Sequence, residues 1–356
     1  MKKKIAKQLV KNVSELRRDP VSGDWVVIAT GRAKRPNTFA QGHQHDPAYE
    51  SKENCPFENP QVSGNDKPIL VFDHKAREMG KLSQDWFVQV IPNRFPAFAG
   101  PSVKRYVKHV GPYTVLEGRG SHEVVIMREH TKNISSFSSL EARAVIYAYM
   151  ARFNILSLRP NVRYVSIFHN FGKEAGASLY HPHSQIMAIP VVPPDVARSL
   201  AGSQRYFQEK SKCVHCEMIA WEKKDNQRIV FENEHFIAIC PFVSRAAFEI
   251  RIFPKKHESS FKDMGDEEIG KCADALRITL GKLEKALANP DYNFFIHTSP
   301  INIESLESHF YPHYHWHIEI LPKTAIWAGF ELGTGIEIST IKPENAAKFL
   351  RKFNVS

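Results

Sequence analysis

Residues 181–190 read HPHSQIMAIP, and residues 313–322 read HYHWHIEILP. In the first, His181, His183 and Gln185 stand at every second position; in the second, His313, His315 and His317 do. Alternate side chains of an extended strand share one face, so each stretch predicts a strand with a row of polar rings on one side. Reading outward from the two stretches gives the same order of elements twice. SHEVVIMREHTKNISSF (121–137), a helical run (139–160) and VRYVSIFHN (162–170) precede the first. AFEIRIFPKKHESSF (247–261), a helical run (266–290) and YNFFIHTSP (292–300) precede the second. His130 and His257 lie 127 residues apart, Pro160 and Pro290 130, and Pro190 and Pro322 132. Ordered matches at a slowly drifting offset mark an internal repeat.

Each repeat therefore predicts a strand, a histidine loop, a long helix and two further strands. Ser138 or Ser139 suits the cap of the first helix, in which Ala144, Ile146, Tyr147 and Met150 recur at helical spacing. Asp266 suits the cap of the second, with Ile269, Cys272, Ala273, Leu276, Leu280, Leu283 and Leu287 as its buried stripe. Pro160 and Pro290 each end a helix, because proline disfavours a helical residue before it. Strand–helix–strand–strand with short turns predicts an α+β fold made of duplicated halves, a mostly antiparallel sheet with helices packed on it. The expected division is 1–195 and 196–356. The stretch from Cys55 to Ser121 reads as strands and a covering lid.

The chain has 356 residues, 42% hydrophobic and 24% charged, a net charge of +10 and 17 histidines. This composition excludes a disordered chain, a collagen and a small disulfide scaffold. The basic start MKKKIAKQLVKN has no apolar run behind it, so a secretory signal is not expected, and no stretch is long and apolar enough to span a membrane. Five cysteines, an odd number, predict reduced thiols and a cytoplasmic setting. A charge of +10 suits phosphorylated ligands as well as nucleic acid. No nucleic-acid motif, P-loop or GxGxxG turn accompanies it, so no nucleic-acid partner is expected.

Alternating histidines can make a polar sheet face or a metal tract, but their recurrence at equivalent repeat positions favours a shared site. A neutral imidazole is a competent nucleophile toward a phosphoryl group once its second nitrogen is held by a partner. Gln185, third in its row, can hydrogen-bond the attacked phosphate without adding charge. Cys213-Val-His-Cys216 is a thiolate pair at the usual spacing of half a zinc site. The repeat adds His257 and one histidine of the 313–317 row. Cys240 and Cys272 read as core residues.

FGKEAGASLYHPHSQIMAIP (171–190) resembles the active-site segment of the galactose-1-phosphate uridylyltransferase family, the transferase branch of the histidine-triad superfamily. ELRRDPVSGDWVVIATGRAKRP (15–36), CPFENP (55–60), the His130 loop, CVHC (213–216) and GFELGTG (329–335) fit the family in order, so the resemblance spans nearly the whole chain. The RAKRP, AGAS, VVPP and FELGTG-like segments are most similar to the sub-branch that includes ADP-glucose phosphorylase. The resemblance implies that His183 attacks the α-phosphate of a nucleotide sugar, forming a nucleotidyl-histidine and releasing hexose 1-phosphate. A second phosphate then accepts the nucleotidyl group in a ping-pong cycle. Gln185 and Ser178 would contact phosphate, Gly176 would allow close backbone approach, and Arg32 and Arg35 would hold phosphate oxygens. Asn93 and Asn170 would lie around the nucleotide, and Glu331 would bind hexose hydroxyls.

The resemblance also selects His315 as the fourth ligand of the Cys213, Cys216 and His257 zinc site, with His313 and His317 as alternatives on the same strand face. It implies a first-half site of Cys55, Glu58, His130 and His181. Glu58 stands where the family usually has cysteine, so that site would hold zinc less tightly or take another divalent metal. Phe330 replaces a family tyrosine beside the hexose glutamate, and Ala177 replaces a cysteine before Ser178. The implied reaction is UDP-glucose–hexose-1-phosphate uridylyl transfer, in galactose metabolism, by a homodimer. The alternative is adenylyl transfer from ADP-glucose to phosphate. A non-catalytic nucleotide-binding module is the alternative of another class. A dinucleoside-polyphosphate hydrolase would keep a third histidine where Gln185 stands.

Overall fold

The computed structural model describes residues 13–32, 51–100, 107–301 and 311–355. Its strands are β1 (Glu15–Arg18), β2 (Trp25–Ile28), β3 (Leu70–Phe72), β4 (Val88–Pro92), β5 (Val107–Val110), β6 (Tyr113–Leu116), β7 (Ser121–Met127), β8 (Tyr164–Phe171) and β9 (His183–Ile189). They continue with β10 (Ile229–Glu232), β11 (Phe236–Ile239), β12 (Ile250–Pro254), β13 (Tyr292–His297), β14 (His317–Pro322) and β15 (Ile338–Ser339). The helices are α1 (Ser139–Ser157), α2 (Pro194–Lys210), α3 (Val214–Asp225), α4 (Asp266–Leu287), α5 (Gly329–Thr334) and α6 (Pro343–Leu350).

Ten strands form one sheet in the order β3-β4-β7-β9-β8-β13-β14-β12-β11-β10. Every neighbouring pair in it is antiparallel. The order is palindromic about the β8–β13 seam: β9 corresponds to β14, β7 to β12, β4 to β11 and β3 to β10. This is the α+β fold with duplicated halves and a mostly antiparallel sheet that the repeat predicts. The seam pairs Asn293 with Asn170 and Phe295 with Phe168, and the Asn293 amide donates to Asn170 Oδ1 at 2.8 Å.

α1 and α4 pack on the same face of the sheet. One continuous core joins Val145, Tyr149 and Phe153 of α1 to Leu276, Leu280 and Leu283 of α4 and to inward residues of both halves. α1 starts in a capping box: Glu141 N–H donates to Ser138 Oγ (3.2 Å) and Ser138 N–H to Glu141 Oε2 (2.8 Å). α4 departs from the expected cap. Gly265, not Asp266, precedes its first turn, and its N–H donates to Glu268 Oε2 at 2.7 Å. Arg152 of α1 forks onto Glu123 of β7 with two 2.7 Å bonds, both side chains being buried. Removing one partner of such a buried pair costs about 3–5 kcal/mol, so it pins α1 to its strand.

The stretch from Cys55 to Ser121 supplies β3 and β4 at the sheet edge and the separate β5–β6 hairpin. The opposite face of the first half carries a small apolar cluster of Phe57, Val71, Trp86, Ile91, Val124 and Ile126. A second sheet, β1-β2-β15, crosses the equivalent face of the second half, with Val26 and Ile28 packed on Val243. No helix among the described residues is long and apolar enough to cross a membrane.

Candidate active site and metal centres

His183 opens β9, between β8 and β7. It is 7% exposed, and the Phe57 ring meets it edge-on at 5.2 Å. Its Nδ1–H donates to the carbonyl of His181 at 2.8 Å. That bond fixes the tautomer and leaves the Nε2 lone pair free of a proton, as a nucleophile requires. Burial lowers the pKa of the ring, opposed by its bond to His181. The neutral form is therefore favoured.

The strand register places the other candidates. Gln185 lies opposite Val124 of β7 and Phe168 of β8, on the same face as His183. Asn170 stands one step beyond the His169–Ser184 pair, level with His183. Asn93 follows β4, and its N–H donates to the His122 carbonyl at 2.8 Å. His122 was not singled out from sequence, yet it joins two of these residues. Its Nε2 is 2.7 Å from Gln185 Oε1 and 3.0 Å from Asn93 Nδ2, and its Nδ1 is 3.2 Å from the Ala97 amide nitrogen. Only the pairing of strands 121–127 and 183–189, invisible before the fold is known, sets His122 diagonal to Gln185.

The turn between β8 and β9 brings Ser178 and Gly176 to this end of the sheet. Gly176 has φ +82°, a left-handed conformation that glycine adopts without strain, and a Cβ there would meet no atom within 4 Å. The turn is gripped from the second half: Asn293 Nδ2 donates to the Ala175 carbonyl (2.8 Å) and Glu174 N–H to Asp291 Oδ2 (2.5 Å). A Cβ on Gly172 would fall 1.9 Å from Asp291, so the turn and the seam fit without spare room. Neither Asn293 nor Asp291 carried a sequence motif of its own. Arg32 closes the short turn Thr30–Arg32, and Arg35 lies outside the described residues. Glu331 lies in α5, where its carboxylate accepts from Ala328 N–H at 3.1 Å, capping its own helix.

Two four-residue groups bring metal-ligating atoms within 4.8 Å of one another: Cys55, Glu58, His130 and His181, and Cys213, Cys216, His257 and His315. The two are built alike. His181 Nε2–H donates to the Met127 carbonyl (2.6 Å), and His315 Nε2–H to the Pro254 carbonyl (2.9 Å). Each bond leaves a bare Nδ1 facing the other donors, the orientation metal-bound histidines need. In the first group His130 Nδ1 lies 2.6 Å from Glu58 Oε1 and 3.2 Å from His181 Nδ1. In the second, Cys216 Sγ lies 3.3 Å from His257 Nδ1 and 3.5 Å from His315 Nδ1. The Cys213 thiol is pushed down by hydrogen bonds from Cys216 and neighbouring histidines, while Cys216 is pushed up by its bond to Cys213 and by burial. Two cysteine sulfurs and two imidazole nitrogens are a donor set that suits zinc. Cys240 and Cys272 are fully buried in the core, and His313 and His317 stand outside the second group.

His317 is the second-half counterpart of His183: its Nδ1–H donates to the His315 carbonyl at 3.2 Å. Its surroundings differ. Glu319 stands in place of Gln185 and pairs with Arg245 and Arg251. A cavity of about 290 Å³ there is lined by His297, His317, Glu319, Arg251 and, from the covering sheet, Asp19 and Val26.

A buried histidine with its tautomer fixed, beside side-chain amides and a glycine turn, is an arrangement suited to phosphoryl or nucleotidyl transfer. Residues 3–193 match the family model of the galactose-1-phosphate uridyl transferase N-terminal domain, and residues 118–352 match a domain of unknown function, DUF4921. The chain is 34% identical to ADP-glucose phosphorylase of Arabidopsis thaliana over 96% of this chain and 93% of that protein. It is 30% identical to galactose-1-phosphate uridylyltransferase of Thermotoga maritima over 96% and 99%. The crystal structure of the Arabidopsis thaliana ADP-glucose phosphorylase with bound ADP-glucose superposes with a TM-score of 0.77 at 32% identity, over 96% of this chain and all of that one. The chain belongs to the galactose-1-phosphate uridylyltransferase family, and it is a nucleotidyltransferase.

Proposed function

We propose that the enzyme transfers the nucleotidyl group of a nucleoside-diphosphate hexose through a covalent intermediate on His183. His183 Nε2 attacks the α-phosphorus, the bond to the bridging oxygen breaks, and hexose 1-phosphate leaves. A second phosphate then attacks the same phosphorus from the opposite side and frees the histidine. The observation that carries the reading is the 2.8 Å bond from His183 Nδ1 to its own strand, which presents an unprotonated Nε2 in a buried setting. Gln185, Asn93, Asn170, Ser178 and the Gly176 backbone supply neutral polar groups around the phosphates, and Arg32 and Arg35 supply charge. Glu331 is assigned to the hexose hydroxyls, by movement of its segment or from a second subunit.

Two donor–acceptor pairs use this chemistry: UDP-glucose with galactose 1-phosphate, and ADP-glucose with inorganic phosphate. The second is favoured by Phe330 and Ala177, which depart from the uridylyltransferase pattern, and by the superposition on an enzyme holding ADP-glucose. Zinc is assigned to the Cys213 group as a structural ion, because four protein ligands close its shell. The Cys55 group would hold a divalent metal that fixes His181 beside the nucleophile. We further assign the halves to 1–195 and 196–356, the assembly to a homodimer and the compartment to the cytoplasm.

The test is incubation with α-labelled UDP-glucose or ADP-glucose followed by denaturation. A protein-bound label that is acid-labile and base-stable, and absent in His183→Asn, is expected. No label with any nucleotide sugar, or the same label in His183→Asn, overturns the mechanism. Turnover with galactose 1-phosphate against inorganic phosphate then decides the acceptor.

A further inference from the structure

A glutamine amide offers a donor end and an acceptor end of the same shape, and only the donor end helps an anionic phosphate. What turns Gln185 the right way is therefore part of the chemistry. The Ala97 N–H points at His122 Nδ1 at 3.2 Å, and a backbone N–H cannot be flipped, so Nδ1 must accept. The proton of the neutral ring then sits on Nε2. Of the two groups close to Nε2, Gln185 Oε1 at 2.7 Å can accept it; Asn93 Nδ2 at 3.0 Å is a donor and gains no bond there. Asn93 is held instead through its Oδ1, which accepts the Phe95 N–H at 2.8 Å. Both amides thus keep their acceptor oxygens engaged with the protein and their N–H groups uncommitted to His122. The ring is buried, and burial lowers its pKa, which preserves the neutral form that this arrangement needs.

We infer that His122 is a positioning residue, one that holds the Gln185 amide with its nitrogen toward the transferred phosphate. The inference rests on the nucleotidyl-transfer reading for its catalytic consequence and on the hydrogen-bond geometry for its physical content. Losing one fixed donor to a developing oxyanion lowers rates by about 10²–10³-fold. A freed Gln185 still samples the productive orientation, so a smaller effect is expected.

Single-turnover labelling of His183 by the nucleotide sugar reads this step. His122→Phe, which keeps ring volume and removes both nitrogens, should slow labelling by about 10–100-fold with nucleotide-sugar affinity changed less than about threefold. His122→Gln, whose amide nitrogen reaches the place of Nε2, should restore most of the rate. A double variant with Gln185→Ala should be no slower than Gln185→Ala alone, because His122 acts through that amide. Multiplying effects in the double variant, or a His122→Phe rate within twofold of wild type, overturn the inference. The long-range ¹H–¹⁵N spectrum of the imidazoles needs no turnover and separates this inference from the proposed function. An Nε2–H tautomer for His122 in the resting protein is expected; an Nδ1–H tautomer or an imidazolium overturns the assignment even if labelling of His183 succeeds.

Discussion

The two halves of the sheet hold one histidine arrangement with two outcomes. His183 and His317 each open a strand, donate Nδ1–H to the carbonyl two residues back, and follow a histidine turned toward a four-donor group. What separates them lies two residues further along the strand, on the same face, and overhead. In the first half a neutral Gln185 is held by His122. In the second, Glu319 is buried between Arg245 and Arg251, and a second sheet carrying Asp19 crosses the same face. A carboxylate at that position repels a phosphate that an amide would bind. The level neighbour of the histidine differs too: Asn170 beside His183, His297 beside His317. The lesson is that the same backbone-held histidine acquires a different chemistry from the side chains around it. The strand register supplies the tautomer in both halves, and the neutral amides stand beside the histidine in one.

The comparison can be broken most sharply at the two histidines. His183→Asn should lower turnover by more than about 10³-fold, whereas His317→Asn should leave turnover within about threefold, as steady-state kinetics will read. Comparable losses in both would mean that the second half shares the chemistry. The metal groups come next. Cys216→Ser should release the second metal and lower the melting temperature by on the order of 10 °C, measured by calorimetry with metal analysis. Glu58→Cys should instead tighten zinc in the first group, since thiolate is the softer and stronger ligand for zinc. Competition with a chelator checks that expectation.

Acid sensitivity offers a further distinction. His169 is buried against Ser184 and Phe294, and burial pushes its pKa from 6.5 down to about 3. Its second-half counterpart on the seam is Ile296. The unfolded chain binds this proton first, so stability should fall as pH drops below 6.5 and level off near 3, where the folded form also takes it up. Denaturant midpoints against pH should show this fall flattened in His169→Phe. The smallest effect expected is that of Glu319→Gln. It restores an amide in the second half, yet should add no labelled second histidine, because the covering sheet remains.

Much of this arrangement was legible in the sequence, for a physical reason. A duplicated unit must repeat its buried periodicities, so the alternating histidines and the helix stripe at 269–287 mark equivalent elements. The register read from Pro190 and Pro322, however, is two residues off: the structure sets His183 against His317 and Gln185 against Glu319, because matching backbone bonds and not matching prolines define equivalence. The CxxC spacing likewise carries its own chemistry. The cap of α4 was misplaced because Asp266 is a good cap by type, and only the backbone reveals that Gly265 occupies the position. His122, Asp291 and Asn293 left no trace because their roles come from partners 25 to 123 residues away, through register and not through spacing. The β1-β2-β15 sheet was equally hidden, since it joins the two ends of the chain.

The seam has a consequence for how the chain comes off the ribosome. β8 is a central strand of the finished sheet, but its partner β13 lies about 120 residues later. At about 5–20 residues per second, the first half waits roughly 6–25 s with one edge of its sheet unpaired. Until Tyr292–His297 emerges, the turn that Asn293 and Asp291 will hold also lacks its grip. The nascent chain therefore passes through an interval in which it is both catalytically unfinished and open to pairing with a neighbouring copy. Crowded polysomes or a slow codon stretch between 172 and 291 would lengthen that exposure.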